Sequence, residues 1–294
     1  MKYIETFLAI VDYGSFTEAS ERLFLTQPTI TKRIAQLEEK LNNELFKRVG
    51  HKVYLTDAGE AFLPYARKIQ QNWTDTINLM AEYNKDVIGT LVLRCNYHLG
   101  LYVFPKIMKE YMACYPKVNL EMDFNDSYSI IEEVIDYKAE IGLITLLDKL
   151  PEEIEYTKIR TSNMLVAIAV SHPFWNEKGS YLSRLAKVPV ITPKKQNQYH
   201  SKLHQLIEKI NIQPPEITNI NMIEAIKQLV ETGLGWSILH DYMLNDRLKE
   251  IPVLDQPLKI SAGIIYRKDI VLSKPAKKMI ETALKLELFA NTEG

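Results

Sequence analysis

Gly14-Ser15-Phe16-Thr17-Glu18-Ala19-Ser20-Glu21-Arg22-Leu23-Phe24-Leu25-Thr26-Gln27-Pro28-Thr29-Ile30-Thr31-Lys32-Arg33-Ile34 is the stretch on which the reading of this chain turns. It divides into two helical patterns with a tight turn between them. Ser15 is placed to cap the first, with Glu18 three residues on as its capping-box partner. Phe16, Ala19, Ser20 and Leu23 make its inner stripe. Phe24-Leu25-Thr26 forms the turn. Thr26 then stands at the N-cap of the second helix, and Pro28 lies just inside its start, where a missing N–H costs nothing. Ile30, Ile34, Leu37 and Leu41 repeat at helical spacing along its inner side.

Working outward, Ile4, Phe7, Leu8, Ile10 and Val11 form an apolar stripe before the turn at Tyr13-Gly14. On the far side, Phe46 to Leu55 places β-prone residues around Gly50, a small hairpin or wing. Thr56-Asp57 can cap a long helix running to about Asp86, with Phe62, Tyr65, Ala66, Ile69, Trp73, Ile77 and Met80 on one stripe. A single helix of that length wants a partner, so a dimer interface is expected there.

Beyond that helix, strand-like runs alternate with helical ones: strands at 90–96, 118–124, 140–145, 164–171, 188–192, 236–239 and 260–266, and helices at 103–114, 129–137, 199–210, 223–232 and 275–289. This alternation argues for α/β layers around a mostly parallel sheet.

Bulk properties exclude several classes. Of the 294 residues, 46% are hydrophobic and 25% charged, an ordinary globular composition, and the formal net charge is −1. No global field draws the chain to nucleic acid, so DNA binding has to come from a local basic surface. The first 57 residues hold eight Lys/Arg and eight Asp/Glu, but Gln27–Gln36 and Phe46–Thr56 contain bases and no acids. No run approaches a membrane span and no signal peptide is evident, so a cytoplasmic location is expected. Cys95 and Cys114 match no metal or redox spacing and read as two buried free thiols. HExxH, GxSxG and paired-Cys motifs are absent from the sequence, so no catalytic residue, metal ligand or cofactor is assigned.

Two helices joined by a tight turn, the second opening on polar residues, is the helix-turn-helix arrangement, in which the second helix enters the major groove. The residues that would face DNA are Thr26, Gln27, Pro28, Thr29, Thr31, Lys32 and Arg33, with Arg48 and Lys52 from the wing. Gln27 can pair bidentately with adenine, and the threonine methyls can touch thymine. Lys32 and Arg33 can hold phosphates or read guanine. The alternative is a three-helix packing unit with a solvated charged face.

Residues 1 to about 66 resemble the N-terminal domain of LysR-type transcriptional regulators. The resemblance lies in residues 14–23 and 26–34 of the string quoted above and continues through Leu37-Glu38, Leu41, Leu45-Phe46-Lys47-Arg48, Leu55-Thr56-Asp57-Ala58-Gly59 and Tyr65-Ala66. Ser20 stands where Ala is usual, and Thr26 and Thr31 where Ser is usual. The resemblance implies an α+β multi-domain chain: an N-terminal winged helix-turn-helix, a long linker helix that dimerises, and a C-terminal α/β two-lobed, periplasmic-binding-protein-like effector domain. Its implied divisions are residues 1–57, 58–87, 88–161 for lobe one, 162–265 for lobe two, and 266–294 returning to lobe one. The implied partners are double-stranded DNA with inverted-repeat character, a small-molecule effector of carboxylate type, and further copies of the chain as a homodimer or homotetramer.

In open α/β sheets, ligands bind beyond the carboxyl ends of strands. That rule selects Tyr97, His98, Leu99, Ser127, Tyr128, Thr145, Thr192 and Asn221 as effector contacts. His98 stands where the family usually carries Ser or Thr, and Ser127 matches a second usual hydroxyl position. A protonated His98 could hold a carboxylate, making sensing pH-dependent; otherwise it caps a helix or faces solvent. Lys194 and Lys195 are either an anion-recruiting pair or a solvated loop. Gly233 and Gly235 are expected to shape a turn.

Overall fold

The computed structural model describes residues 1–49, 52–81, 83, 86–195, 198–254 and 256–290. The head begins with α1 (Lys2–Tyr13), α2 (Phe16–Arg22) and α3 (Gln27–Leu41). Gly14 ends α1 in the left-handed conformation at φ 66°, as a C-terminal glycine commonly does. The Ser15 side chain accepts from the amides of Thr17 and Glu18, as an N-cap should. Thr26 occupies the N-cap of α3 without making a side-chain cap bond; its hydroxyl lies 2.8 Å from that of Thr29 instead.

Phe7, Leu8, Ile10, Phe16, Ala19, Ile30, Ile34 and Leu37 form the head core. Leu41, the last position of the expected stripe, is 38% exposed, because α3 ends there and Asn42 turns the chain left-handed. Strands β1 (Phe46–Val49) and β2 (Lys52–Leu55) pair antiparallel as the wing; the turn residues Gly50 and His51 lie outside the described residues. Glu38 holds the start of the wing in place: its Oε1 accepts from Leu45 N at 2.7 Å and Phe46 N at 3.3 Å.

The linker helix α4 spans Asp57–Ala81, 25 residues and therefore about 37 Å. The sequence suggests a helix to about Asp86; the described helix stops at Ala81, Tyr83 lies in a turn, and 82, 84 and 85 lie outside the described residues. Thr56 caps it, accepting from Gly59 N at 3.0 Å.

The effector region continues with β3 (Gly89–Asn96), α5 (Tyr97–Tyr102), α6 (Phe104–Cys114), β4 (Val118–Asn125), α7 (Ser127–Ile135), β5 (Ile141–Thr145) and the long β6 (Ile154–Ala169). Then follow α8 (Tyr181–Leu185), β7 (Val190–Pro193), α9 (Gln198–Ile210), β8 (Glu216–Ile220), α10 (Ile223–Glu231), β9 (Trp236–His240), β10 (Leu248–Glu250), β11 (Leu258–Arg267) and α11 (Lys274–Ala290). The strands run in the order β4-β3-β5-β11-β6-β9-β7-β8, with β10 beside β6.

Pairing is parallel for β3 with β4 and β5, and for β7 with β8 and β9, whereas β5 with β11 and β6 with β9 and β10 run antiparallel. The two lobes meet where β6 and β11 cross as an antiparallel pair. The expected parallel pairing thus holds for the outer strands of each lobe, while every pair that involves β6 or β11 is antiparallel. The first half of β6 carries no strand signal in the sequence, because Glu155, Thr157 and Lys158 interrupt its apolar run. β11 already pairs with β5 at Ala262–Ile265, so the chain re-enters lobe one a few residues before the expected 266. Leu91, Leu93, Phe104, Ile107 and Tyr111 anchor one core and Val166, Phe174, Leu203, Ile226 and Trp236 the other.

Two smaller expectations resolve here. Gly233 takes φ 81°, and a Cβ on Gly235 would sit 2.2 Å from the Pro189 carbonyl oxygen, so one glycine supplies the turn and the other a close strand approach. Cys95 is buried but Cys114 is exposed; the reading of two buried thiols fails for Cys114 because it ends α6 on the surface.

Candidate functional site

Two surfaces carry the chemistry. On the head, Thr26, Gln27, Pro28, Thr31 and Lys32 are exposed at the start of α3, while Thr29 and Arg33 are half-buried. The apolar side of α3, from Ile30 through Ile34 to Leu37, is buried against α1 and α2. The same periodicity that buries those residues turns Gln27, Thr31 and Lys32 outward. Arg33 leans back, with Nη1 donating to the Thr6 hydroxyl at 3.3 Å. Lys47 is exposed on β1. The Arg48 and Lys52 backbones lie in the wing strands, and their side chains lie outside the described residues. The first turn of α3 contains no acid, so nothing there opposes a phosphate.

The second surface is a cleft of about 720 Å³. Its walls are the carboxyl ends of β3, β4, β5 and β7 and the turn after β8. Of the residues expected there, Tyr97, His98, Ser127, Tyr128, Thr145 and Asn221 line it. Leu99 and Thr192 do not. Leu99, 1% exposed, belongs to the core of lobe one, because one step along α5 rotates its side chain away from the cleft. Thr192 is buried within β7, its hydroxyl donating to the Ile217 carbonyl.

Asn96, at the end of β3, organises the lobe-one wall. Its Oδ1 accepts from Thr145 N at 2.7 Å and from the Ser127 hydroxyl at 3.1 Å. Asp126 caps α7, accepting from the amides of Tyr128 and Ser129. Both groups are satisfied locally, and they present Ser127 at the first turn of α7.

The floor is a polar cluster that joins the lobes. Tyr199, on α9, places its hydroxyl 3.0 Å from Thr145 Oγ1, 3.2 Å from His98 Nε2 and 3.0 Å from His240 Nε2. His240 Nδ1 lies 2.9 Å from the Ser162 hydroxyl. The imidazoles of His98 and His240 stack with centroids 5.1 Å apart. Burial pushes the His98 imidazole down to about 3 and holds His240 well below its ordinary value. His98 is therefore a neutral hydrogen-bonding group at neutral pH, and the reading in which its positive charge holds a carboxylate does not survive. Nor does it cap a helix end or face solvent. Tyr199 and His240 escaped the sequence reading: neither follows a strand end of lobe one, and only the folded topology brings them beside His98.

Glu224 and Lys194 complete the cleft from lobe two. Lys194 is exposed. Burial raises the Glu224 carboxyl above its usual range, and its Oε1 has no hydrogen-bond partner among the described residues. Among those residues no group of three or more His, Cys, Asp or Glu could hold a metal ion, and no helix is long and apolar enough to cross a membrane.

The linker touches both halves. Arg67 pairs with Asp12 of the head at 2.7 Å. The next residue, Lys68, pairs with Asp269 beyond β11 at 2.5 Å. Asp75 Oδ1 accepts from Val271 N, and Asn78 Nδ2 donates to Val271 O. Tyr65, Ile69, Trp73 and Ile77, at four-residue spacing, remain between 43% and 69% exposed.

Comparison with known proteins fits this architecture. Residues 1–60 match the bacterial regulatory helix-turn-helix protein, lysR family, and residues 84–286 match the LysR substrate binding domain. The chain is 31% identical to the HTH-type transcriptional activator CmpR of Synechocystis over 298 aligned positions, covering 99% of this chain and 95% of CmpR. Among solved structures, a full-length OxyR variant from Pseudomonas aeruginosa superposes with a TM-score of 0.75 at 17% identity, covering 96% of each chain. Full-length CbnR bound to its target DNA superposes with a TM-score of 0.64 at 20% identity, covering 97% of this chain and 99% of that one. An outward-facing recognition helix, a linker helix and a two-lobed cleft domain occur here in the order that both family matches require, and the chain belongs to the LysR family of transcriptional regulators.

Proposed function

We propose that this regulator reads its operator with the amino end of α3 and senses its effector in the cleft between the lobes. The observation that carries the reading is the outward projection of Gln27, Thr31 and Lys32 from a helix whose other face is buried. Gln27 reads a base edge. Thr26, Pro28, Thr29 and Thr31 contact the groove wall or thymine methyls, and Lys32, Arg33, Arg48 and Lys52 hold phosphates. The charge-neutral head needs this division of labour, since only its bases near the groove supply counterion release.

The chain works as a homodimer or a homotetramer. Support comes from the four exposed apolar residues along α4, which a second α4 would cover. Two heads on one face of the duplex would read an inverted repeat. The segments 1–57, 58–87, 88–161, 162–265 and 266–294, to within a few residues, act as head, linker, lobe one, lobe two and the return to lobe one. A chromosomal target places the protein in the cytoplasm. Tyr97, His98, Ser127, Tyr128, Thr145 and Asn221 surround the effector, a small carboxylate. Closure or rotation of the lobes passes to the heads through α4, which Arg67 ties to the head and Lys68 to lobe one.

The test is selection of sheared DNA from the host of this gene with the purified full-length protein, followed by sequencing. The reading expects enrichment of a short dyad. Recovery of random fragments would contradict it.

A further inference from the structure

The proposed effector cleft holds two ionisable side chains, Glu224 and Lys194, that make no ion pair among the described residues. Glu224, the second residue of α10, lines the cleft; its Oε1 is buried with no hydrogen-bond partner among the described residues, so a side-chain rotation presents it to a ligand. Leaving a buried acceptor without a donor is costly in a folded protein, about 1–3 kcal/mol. Lys194, at the end of β7, is exposed to the same cleft and makes no ion pair among the described residues. Its backbone N–H donates to the Ile220 carbonyl at 2.9 Å. That bond sets Lys194 beside the turn Asn221-Met222 from which α10 and Glu224 start.

Several of the other polar groups are already committed, while Asn221 and the hydroxyls of Tyr97 and Tyr128 are uncharged. Asp126 caps α7 with both carboxylate oxygens. Asn96 holds Thr145 N and the Ser127 hydroxyl. Tyr199, His98 and Thr145 bond one another. Among the described residues that line the cleft, Lys194 is the single Lys or Arg, against the two acids Asp126 and Glu224. A phosphate ester or dicarboxylate would meet more negative than positive charge. A molecule with one cationic and one anionic end would satisfy both open groups at once.

From this we infer that the effector is a zwitterion of amino-acid type, its ammonium on Glu224 and its carboxylate on Lys194. The inference rests on the cleft being the effector site, and it narrows the proposed carboxylate to one that carries an amine. Tyr97 and Tyr128, 41% and 49% exposed, and Met222 at 36% supply the apolar rim for its side chain.

The experiment is calorimetry and thermal shift on the full-length protein with the protein L-amino acids, β-alanine and γ-aminobutyrate, each beside its hydroxy-acid and decarboxylated amine counterparts. Sugar phosphates and dicarboxylates form a second panel. At least one amino acid should bind, with both counterparts weaker by about tenfold or more. Glu224→Gln should weaken that amino acid by about tenfold while leaving its hydroxy acid unchanged, and Lys194→Met should weaken it while sparing the amine. Circular dichroism establishes that each variant is folded. Equal binding of the hydroxy acid, or no amino acid binding at all, overturns the inference. Tight binding of a phosphate or dicarboxylate that Met222→Trp abolishes also overturns it, while leaving the cleft as the effector site. Binding of any compound that Met222→Trp leaves untouched removes the cleft reading itself.

Discussion

The Tyr199 hydroxyl lies 3.2 Å from Nε2 of His98, 101 positions away in sequence and on the opposite lobe. With Thr145 and His240 on the same oxygen, this one phenol bridges the lobes at the bottom of the cleft. Removing it leaves His240 Nε2 without its hydrogen-bond partner, while Thr145 and His98 keep their mutual bond at 3.1 Å. Tyr199→Phe should therefore destabilise the effector domain by about 1–3 kcal/mol, read as a lowered urea midpoint. It should also change effector affinity, since the same oxygen helps set the lobe angle. An unchanged midpoint would mean that the cluster holds nothing together.

The two buried imidazoles make stability depend on pH. Folded His98 has its pKa near 3, against 6.5 when free, and His240 is also lowered. Below about pH 6.5 the unfolded chain binds protons that the folded chain refuses, so stability is fully present above that pH and is lost as pH falls toward 3. Each such histidine contributes a slope of up to about 1.4 kcal/mol per pH unit within that window. The melting temperature should drop between pH 7.5 and 5. His98→Gln should flatten that dependence, though the variant starts less stable at pH 7.5. An equally steep pH profile in the variant would show that His98 is not one of the groups responsible.

The exposed stripe on α4 should govern assembly. Trp73→Glu and Ile77→Glu together place two charges where an apolar partner is expected, and the double variant should run as a monomer in light scattering after size exclusion. Secondary structure should be unaffected, because Trp73 and Ile77 are each 51% exposed in the single chain. A variant that still assembles like the parent would move the interface elsewhere.

Lys68 and Asp269 offer a test of communication between the halves. The two are 39% and 44% exposed, so their ion pair adds little stability, well under about 1 kcal/mol. Hydrogen bonding by Arg267 first, and by Lys68, keeps the Asp269 carboxyl far below its usual range. Lys68→Met should leave the melting temperature nearly unchanged, because Asp269 keeps its two bonds from Arg267, while shrinking the effector-induced change in DNA affinity. If the effector response stays intact, the route through this pair is excluded.

Local sequence signals reached some of this structure and not the rest, for a physical reason. Gly14, Ser15 and the Ile30–Ile34–Leu37 spacing are local signals, and local rules place α1 to α3 within a residue or two. The strand-end rule likewise found Ser127 and Thr145. It overreached at Leu99 because α5 points successive residues in different directions, and a range of residues cannot express that. Tyr199, His240 and Glu224 were invisible because their roles exist only once β6 and β11 have crossed and the second lobe faces the first. The carboxylate of Glu38 fastens the start of the wing, a contact that depends on the chain doubling back and that no local pattern announces.

The central claim is that the outward amino end of α3 reads DNA. Its most direct test is fluorescence anisotropy of full-length protein on a selected dyad fragment and on a scrambled fragment of equal length, at fixed low salt, with Gln27→Ala beside the parent. The account expects the variant to lose about 1–3 kcal/mol on the dyad and almost nothing on the scrambled duplex. Equal discrimination by parent and variant, or no binding of the parent to either fragment, would contradict it.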